Sequence, residues 1–183
     1  MSILQAVKKS KLRALSVGYL LLTSVSAQGS PSIVDRAIES LPSFKVHSIP
    51  TAKRARVYVN GTLHSITLHS IDVPYFSYDV FQLSQPYGYE ALMWVKNAMG
   101  WSDHGCRIDL GVAGSVNGDA RARVYCPSRD GWYDLSHRMI ELGLAWPQQG
   151  CCVSDSVSAR AEQARVHHVG LWSDEDPLPP WVF

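Results

Sequence analysis

Charge is scarce in this chain and neither sign dominates. Only 18% of the 183 residues are charged, and 17 Lys and Arg face 16 Asp and Glu. The composition is 46% apolar, with 13 Gly and 10 Pro, which excludes disordered, collagenous and coiled-coil chains. No apolar run approaches the ~20 residues of a membrane-spanning helix. There is no internal repeat. The four cysteines form no CxxC pair and the seven histidines are scattered, so no zinc-ligand pattern is present. The length fits one domain, or one domain with a short appendage.

What charge there is lies unevenly. Residues 1–27 hold Lys8, Lys9, Lys11 and Arg13 and no acid. The remainder carries 13 basic residues against 16 acidic ones. That part has no bulk positive field with which to collect phosphate backbones, although a local basic patch stays open. The basic start is followed by an apolar core, Ala14 to Val25, and by small residues at Val25-Ser26-Ala27. This pattern predicts a cleavable secretory signal over 1–27 and an exported chain, periplasmic or secreted, with no membrane span after cleavage. Export makes Cys106, Cys126, Cys151 and Cys152 candidates for disulfides. Four cysteines allow three pairings. A bridge between the adjacent Cys151 and Cys152 would be strained, so each is expected to reach toward Cys106 or Cys126.

Residues 28–43 read as a linker with a short helix at Ile33–Ser40. Strand patterns follow at Lys45–Ile49 and Arg56–Val59. Asn60-Gly61 is a hairpin turn, and Thr62–Ile71 is its partner strand. Pro86 opens a helix carrying Leu92, Val95 and Met99 and ended by Gly100. Cys106–Leu110 and Arg121–Cys126 are two further strands. Asp134 caps a second helix, and Ser154 or Asp155 opens a third. The expected class is therefore α+β, mainly β: a five-stranded barrel of OB type with about three packed helices.

Five segments, in order, resemble one family. Ile71-Asp72-Val73-Pro74 is similar to an "IDAPE" turn. Gln85 to Ala91 is similar to "QPYGEEA", and Val124-Tyr125 to the "AYVY" strand. Leu142 to Trp146 is similar to "AGLAW". Gly170 to Ser173, with Pro177 to Trp181, is similar to "GLWADPNPVPPW". These carry a resemblance to the staphylococcal-nuclease-like (thermonuclease) family over residues 44–183. It implies an OB-fold and, in active members, calcium-dependent hydrolysis of DNA and RNA. There two Asp hold the cation, a Glu activates water, and two Arg fork onto the phosphate.

Carried over position by position, that machinery is largely missing. The stretch of the first metal Asp reads Thr51-Ala52-Lys53-Arg54-Ala55, without an acid. The second metal Asp is Asp72. The general-base position holds Tyr75, and the two arginine positions hold Thr67 and Asp119. Losing a general base alone costs about 10²–10⁴ in rate. Arg121 shares a strand face with Asp119 and is a possible replacement. Asp72, Asp79 and Asp119 could hold a cation from another side, with His64 or His69 as base.

The resemblance therefore implies a catalytically weak or inactive nuclease homologue. Its former active-site face would bind a protein partner or single-stranded nucleic acid. The alternative is a metal-dependent nuclease with relocated groups. No cofactor is expected, Ca²⁺ entering only with that alternative, and a monomer is expected. The loop aromatics Tyr75, Phe76, Tyr78 and Phe81 are candidate ligand contacts, through base stacking or as a protein hot spot, unless they fold back over the core.

Overall fold

A computed structural model describes residues 31–100, 105–112, 114–150 and 153–183. The segment read as an export signal lies outside the described residues, as do Cys151 and Cys152. No helix among the described residues is long and apolar enough to cross a membrane.

The architecture is α+β. Helix α1 (Ile33–Glu39) comes first, where a short helix is expected from the sequence. Ser32 caps it: its hydroxyl accepts from Asp35 N while the Asp35 carboxylate accepts from Ser32 N, a reciprocal box that satisfies two end donors. Then follow β1 (Phe44–Ser48), β2 (Arg54–Val59), β3 (Thr62–Leu68) and the two-residue β4 (Ile71–Asp72). Helix α2 spans Gly88–Gly100. Strands β5 (Arg107–Asp109), β6 (Ser115–Val116), β7 (Asp119–Ser128) and β8 (Gly131–Asp134) come next. After them lie α3 (Leu135–Glu141), β9 (Trp146–Pro147), α4 (Asp155–Val166) and a 3-10 turn at Gly170–Ser173.

Strand β2 alternates strictly, with Ala55, Val57 and Val59 buried and Arg54, Arg56 and Tyr58 exposed. A one-residue slip would turn its arginines into the core, so the β2–β3 register is firmly set. Asn60 (φ 50°) and Gly61 (φ 81°) make the turn, both left-handed as a tight hairpin of this kind requires. β3 then pairs parallel with β7, Thr67 beside Arg121. β7 also pairs antiparallel with β5, β6 and β8, which makes it the hub of the sheet.

The sheet differs from the expected five-stranded barrel. It has seven strands, ordered β1-β2-β3-β7-β5 with β6 and β8 added on β7, and it is open. β4 and β9 form a separate two-stranded pair. The outer strands β1 and β5 approach only at a bridge between Ser43 and Arg107, beside a hydrogen bond from Ile108 N to Pro42 O. β5 is three residues long, too short for a continuous ladder against β1. Four α-helices are present among the described residues: α1, the short helix expected within residues 28–43, and the three expected beyond it.

Ala122, Val124 and Cys126 of β7 face the core with Val57, Ile66 and Ile108. Leu92 and Val95 of α2, Leu135 and Met139 of α3 and Val157 of α4 close over them. Each fully buried Val, Ile, Leu or Met among them contributes about 1.5–3 kcal/mol by leaving water.

The disulfide pairing also differs from the expectation. Cys106 bonds Cys126, with Cα atoms 4.3 Å apart. Arg107 stands opposite Tyr125 in the β5–β7 ladder, so one step back along the antiparallel register sets Cys106 directly across from Cys126. Sheet pairing alone brings the two thiols together, with no need of Cys151 or Cys152.

Candidate functional site

The positions singled out by the resemblance converge at one end of the sheet, around a cavity of about 250 Å³. The end of β2 and its lead-in supply Thr51 to Arg54, β3 supplies Thr67, and the turn after β4 supplies Val73 to Phe76. Val116 and Asn117 of the β6–β7 hairpin and Leu92 of α2 complete the wall.

Local backbone chemistry fixes this arrangement. Leu68 N donates to Lys53 O at 2.8 Å, which holds the lead-in of β2 against the end of β3. Asp72 lies opposite Trp146 in the β4–β9 pair. Trp146 in turn meets Trp172 (ring centroids 4.4 Å) and Trp181 (5.7 Å), so the C-terminal segment is pinned behind the turn. Buried Gln85 clips the turn itself. Its Oε1 accepts from Tyr75 N at 2.7 Å, its backbone N donates to Tyr75 O at 2.8 Å, and its Nε2 donates to Leu178 O at 2.9 Å. Gly88 lies so close that a Cβ there would stand 2.4 Å from Tyr75 O. Only glycine lets α2 start against this turn.

The electrostatics of the cavity are set by two ion pairs. Lys53 Nζ binds the Asp72 carboxylate, and both side chains are largely shielded, at 17% and 25% exposure. Arg54 Nε donates to Asp119 Oδ2 at 2.6 Å, and Thr67 Oγ1 lies 3.3 Å from the same oxygen. Asp119 is buried, and its hydrogen bond with Arg54, followed by its charge, holds that guanidinium's pKa above the ordinary value. Each carboxylate at the rim thus has an internal cation. Both cations come from the segment where the resemblance looks for a metal-binding Asp.

Tyr75 occupies the general-base position with its hydroxyl donating outward to Gln82 Oε1 at 2.6 Å and its ring 5.9 Å from that of Phe183. The position thus carries a phenol hydroxyl engaged with Gln82 in place of the carboxylate that the resemblance implies there. Thr67 is buried at the first arginine position and Asp119 at the second. Arg121 stands beside Thr67 in the parallel ladder, its Cζ 3.8 Å from where a Cβ on Gly114 would lie. Asp79 turns away, its Oδ1 accepting from Phe81 N at 3.0 Å. No group of three or more His, Cys, Asp or Glu among the described residues is placed to hold a metal ion.

His64 sits on β3 opposite Val57. His69 is buried, and burial, followed by the charges of Arg123 and Arg121, pushes its pKa below the ordinary 6.5.

The four loop aromatics divide. Phe76 packs against the core, and Tyr78 meets it edge-on at 4.8 Å while its hydroxyl accepts from Lys96 Nζ at 2.9 Å. Tyr75 is half-exposed. Phe81 points outward at 93% exposure, between Val80 (89%) and Leu83 (81%).

The sequence reading missed Lys53 and Arg54 as site residues. Their signal was present: two cations stand together where the resemblance supplies an acid, beside a retained Asp72.

No protein-family model matches the chain. It is 34% identical over 61 residues to an "Uncharacterized endonuclease" of Escherichia coli O157:H7 and, over the same length, to one from Escherichia coli. The match covers 33% of this chain and spans 38% of the length of those relatives.

Proposed function

We propose that the chain is an exported, monomeric, non-hydrolysing nuclease homologue of staphylococcal-nuclease type that holds single-stranded nucleic acid on the face around Tyr75. One observation carries this reading: the Lys53 ammonium sits on the Asp72 carboxylate. A hard divalent cation is held by several oxygen ligands with net negative charge. Here the retained carboxylate already has its counter-charge, and a second cation at that point would be repelled. The water-activating carboxylate and both phosphate-forking guanidiniums are replaced by Tyr75, Thr67 and Asp119. Phosphodiester hydrolysis relies on positioning and charge stabilisation of the transferring group, so such a site retains little of either.

Other observations support the rest. The partial match to an uncharacterized endonuclease points to nuclease ancestry. The Ser43–Arg107 bridge, which links the outer strands at one end, supports an OB-type barrel as the parent architecture. The Cys106–Cys126 disulfide suits an oxidising compartment. Arg54, its charge balanced by Asp119, and Tyr75 line one cavity, and Phe81 of the same loop as Tyr75 is fully exposed, so two aromatic faces are offered for stacking, the sequence-tolerant way of holding unpaired bases.

The test uses the purified chain with single-stranded DNA and RNA, in calcium, in magnesium and in EDTA. Saturable binding without EDTA-sensitive cleavage is the expected result. Cleavage that EDTA abolishes and Asp72→Ala removes would establish the relocated nuclease instead. Failure to bind either strand would turn the Phe81 face over to a protein partner.

A further inference from the structure

A second cleft lies away from the Lys53–Asp72 cavity, between α1, β7, β8, α3 and α4, with a volume of about 400 Å³. Its charge is unbalanced. Arg123 leaves β7 on the face opposite buried Ala122 and Val124, and makes no hydrogen bond or ion pair among the described residues. Arg138 of α3 and Arg160 of α4 also line the cleft, and both bind the one carboxylate of Glu141. The remaining acid, Asp134, spends Oδ1 on the N–H groups of Ser136 and His137 as the cap of α3. Three guanidiniums therefore share two carboxylates, one of them committed to backbone.

We propose that this cleft binds a small oxyanion, phosphate or carboxylate, carried on a flat apolar body. Guanidiniums from a strand and two helices converge on one concave space, and their planar forks match both oxyanions bidentately. Arg160 Nε is buried with no hydrogen-bond partner among the described residues, a donor whose desolvation is otherwise uncompensated. The cleft also has aromatic walls, Tyr125 and Trp132. Arg107 lies over the Trp132 ring at 5.7 Å from its centroid and steadies it. An ion in open solvent needs no such wall, whereas an aryl or heteroaryl ligand gains stacking area from it. The inference is independent of the proposed function, because none of these residues belongs to the other cavity.

The experiment is titration calorimetry of the intact chain with phenyl phosphate and with benzoate, which separates the two sources of the oxyanion. Saturable binding of at least one is expected, weakening as salt rises. Arg123→Ala should weaken it by about tenfold or more, the scale of one charge-assisted hydrogen bond. Arg123→Lys should recover only part, since the charge returns without the fork. Arg123 is exposed, so its replacement leaves the core untouched. Lys53→Ala, in the other cavity, should leave this affinity unchanged, so the two readings fail separately. Absence of saturable binding by both compounds, or equal affinity in Arg123→Ala, would overturn the proposal.

Discussion

The Lys53–Asp72 pair can be weighed directly by a double-mutant cycle. Lys53→Met keeps the aliphatic stem but removes the ammonium, and leaves Asp72 as a lone, largely shielded carboxylate. Asp72→Asn is nearly isosteric and leaves Lys53 without its partner. With side-chain exposures of 17% and 25%, the pair is neither a surface bridge nor a fully buried one. Surface pairs contribute about 0–1 kcal/mol, and removing one partner of a buried pair costs about 3–5 kcal/mol, so each single change should cost about 1–2 kcal/mol. The double variant should lose clearly less than the sum of the two, giving a coupling of about 1 kcal/mol. Urea unfolding followed by far-UV circular dichroism reads this as a shift in midpoint of about 0.5–1 M for each single variant, given slopes near 2 kcal/mol per molar. A companion variant, Lys53→Asp, puts a second carboxylate where the ammonium stood. It should acquire a Ca²⁺-dependent rise in Tm at millimolar Ca²⁺, the affinity range of weak extracellular sites. Coupling within experimental error of zero, or an equal Ca²⁺ response in the unmodified chain, would refute the idea that the lysine stands in for a cation.

Gly88→Ala should destabilise the fold by about 2 kcal/mol or more, since its Cβ would meet Tyr75 O at 2.4 Å and the turn or α2 would have to shift; thermal unfolding measures it. Replacing both Cys106 and Cys126 by Ser should cost roughly 3 kcal/mol, the chain-entropy value for a closed loop of this span, read as the difference in unfolding free energy. His69 and His137 are both held below the ordinary 6.5, first by burial, so the folded state favours their neutral forms. Their stabilising contribution is fully present above pH 6.5 and is lost as the pH falls through the lower folded-state values. Unfolding midpoints should therefore drop on acidification from pH 7, and His137→Gln should flatten that dependence.

Much of the fold was legible because its signals are local. Asn60-Gly61 between alternating runs specifies the β2–β3 hairpin, and Asp134 and Ser154 each accept from backbone N–H groups at the helix starts they mark. What was not legible came from pairings between distant segments. The Cys106–Cys126 bond follows from the β5–β7 register, which no cysteine spacing encodes. The open sheet follows from the shortness of β5 and from the β6 and β8 additions on β7, two short strands that no alternating run in the sequence marks. At the site, the five positions could be carried over one by one, but the ion pairs could not. Arg54 and Asp119 are 65 residues apart and meet only because β3 pairs with both β2 and β7.

The same geometry shows what balances the two carboxylates of the site. Asp72 lies in a two-residue strand paired with Trp146, beneath the aromatic cluster that anchors the C-terminal segment. A carboxylate left there without a counter-ion would repel any phosphate approaching the cavity and would cost free energy by partial burial. The Lys53 ammonium on the neighbouring segment removes both penalties. Arg54 does the same for Asp119, which sits at the start of β7 on the floor of the sheet. A compensated rim of this kind is electrically neutral, and a neutral, aromatic-walled cavity selects ligands by shape and stacking before it selects them by charge. Affinity for single strands at the Tyr75 face should therefore fall only shallowly with salt.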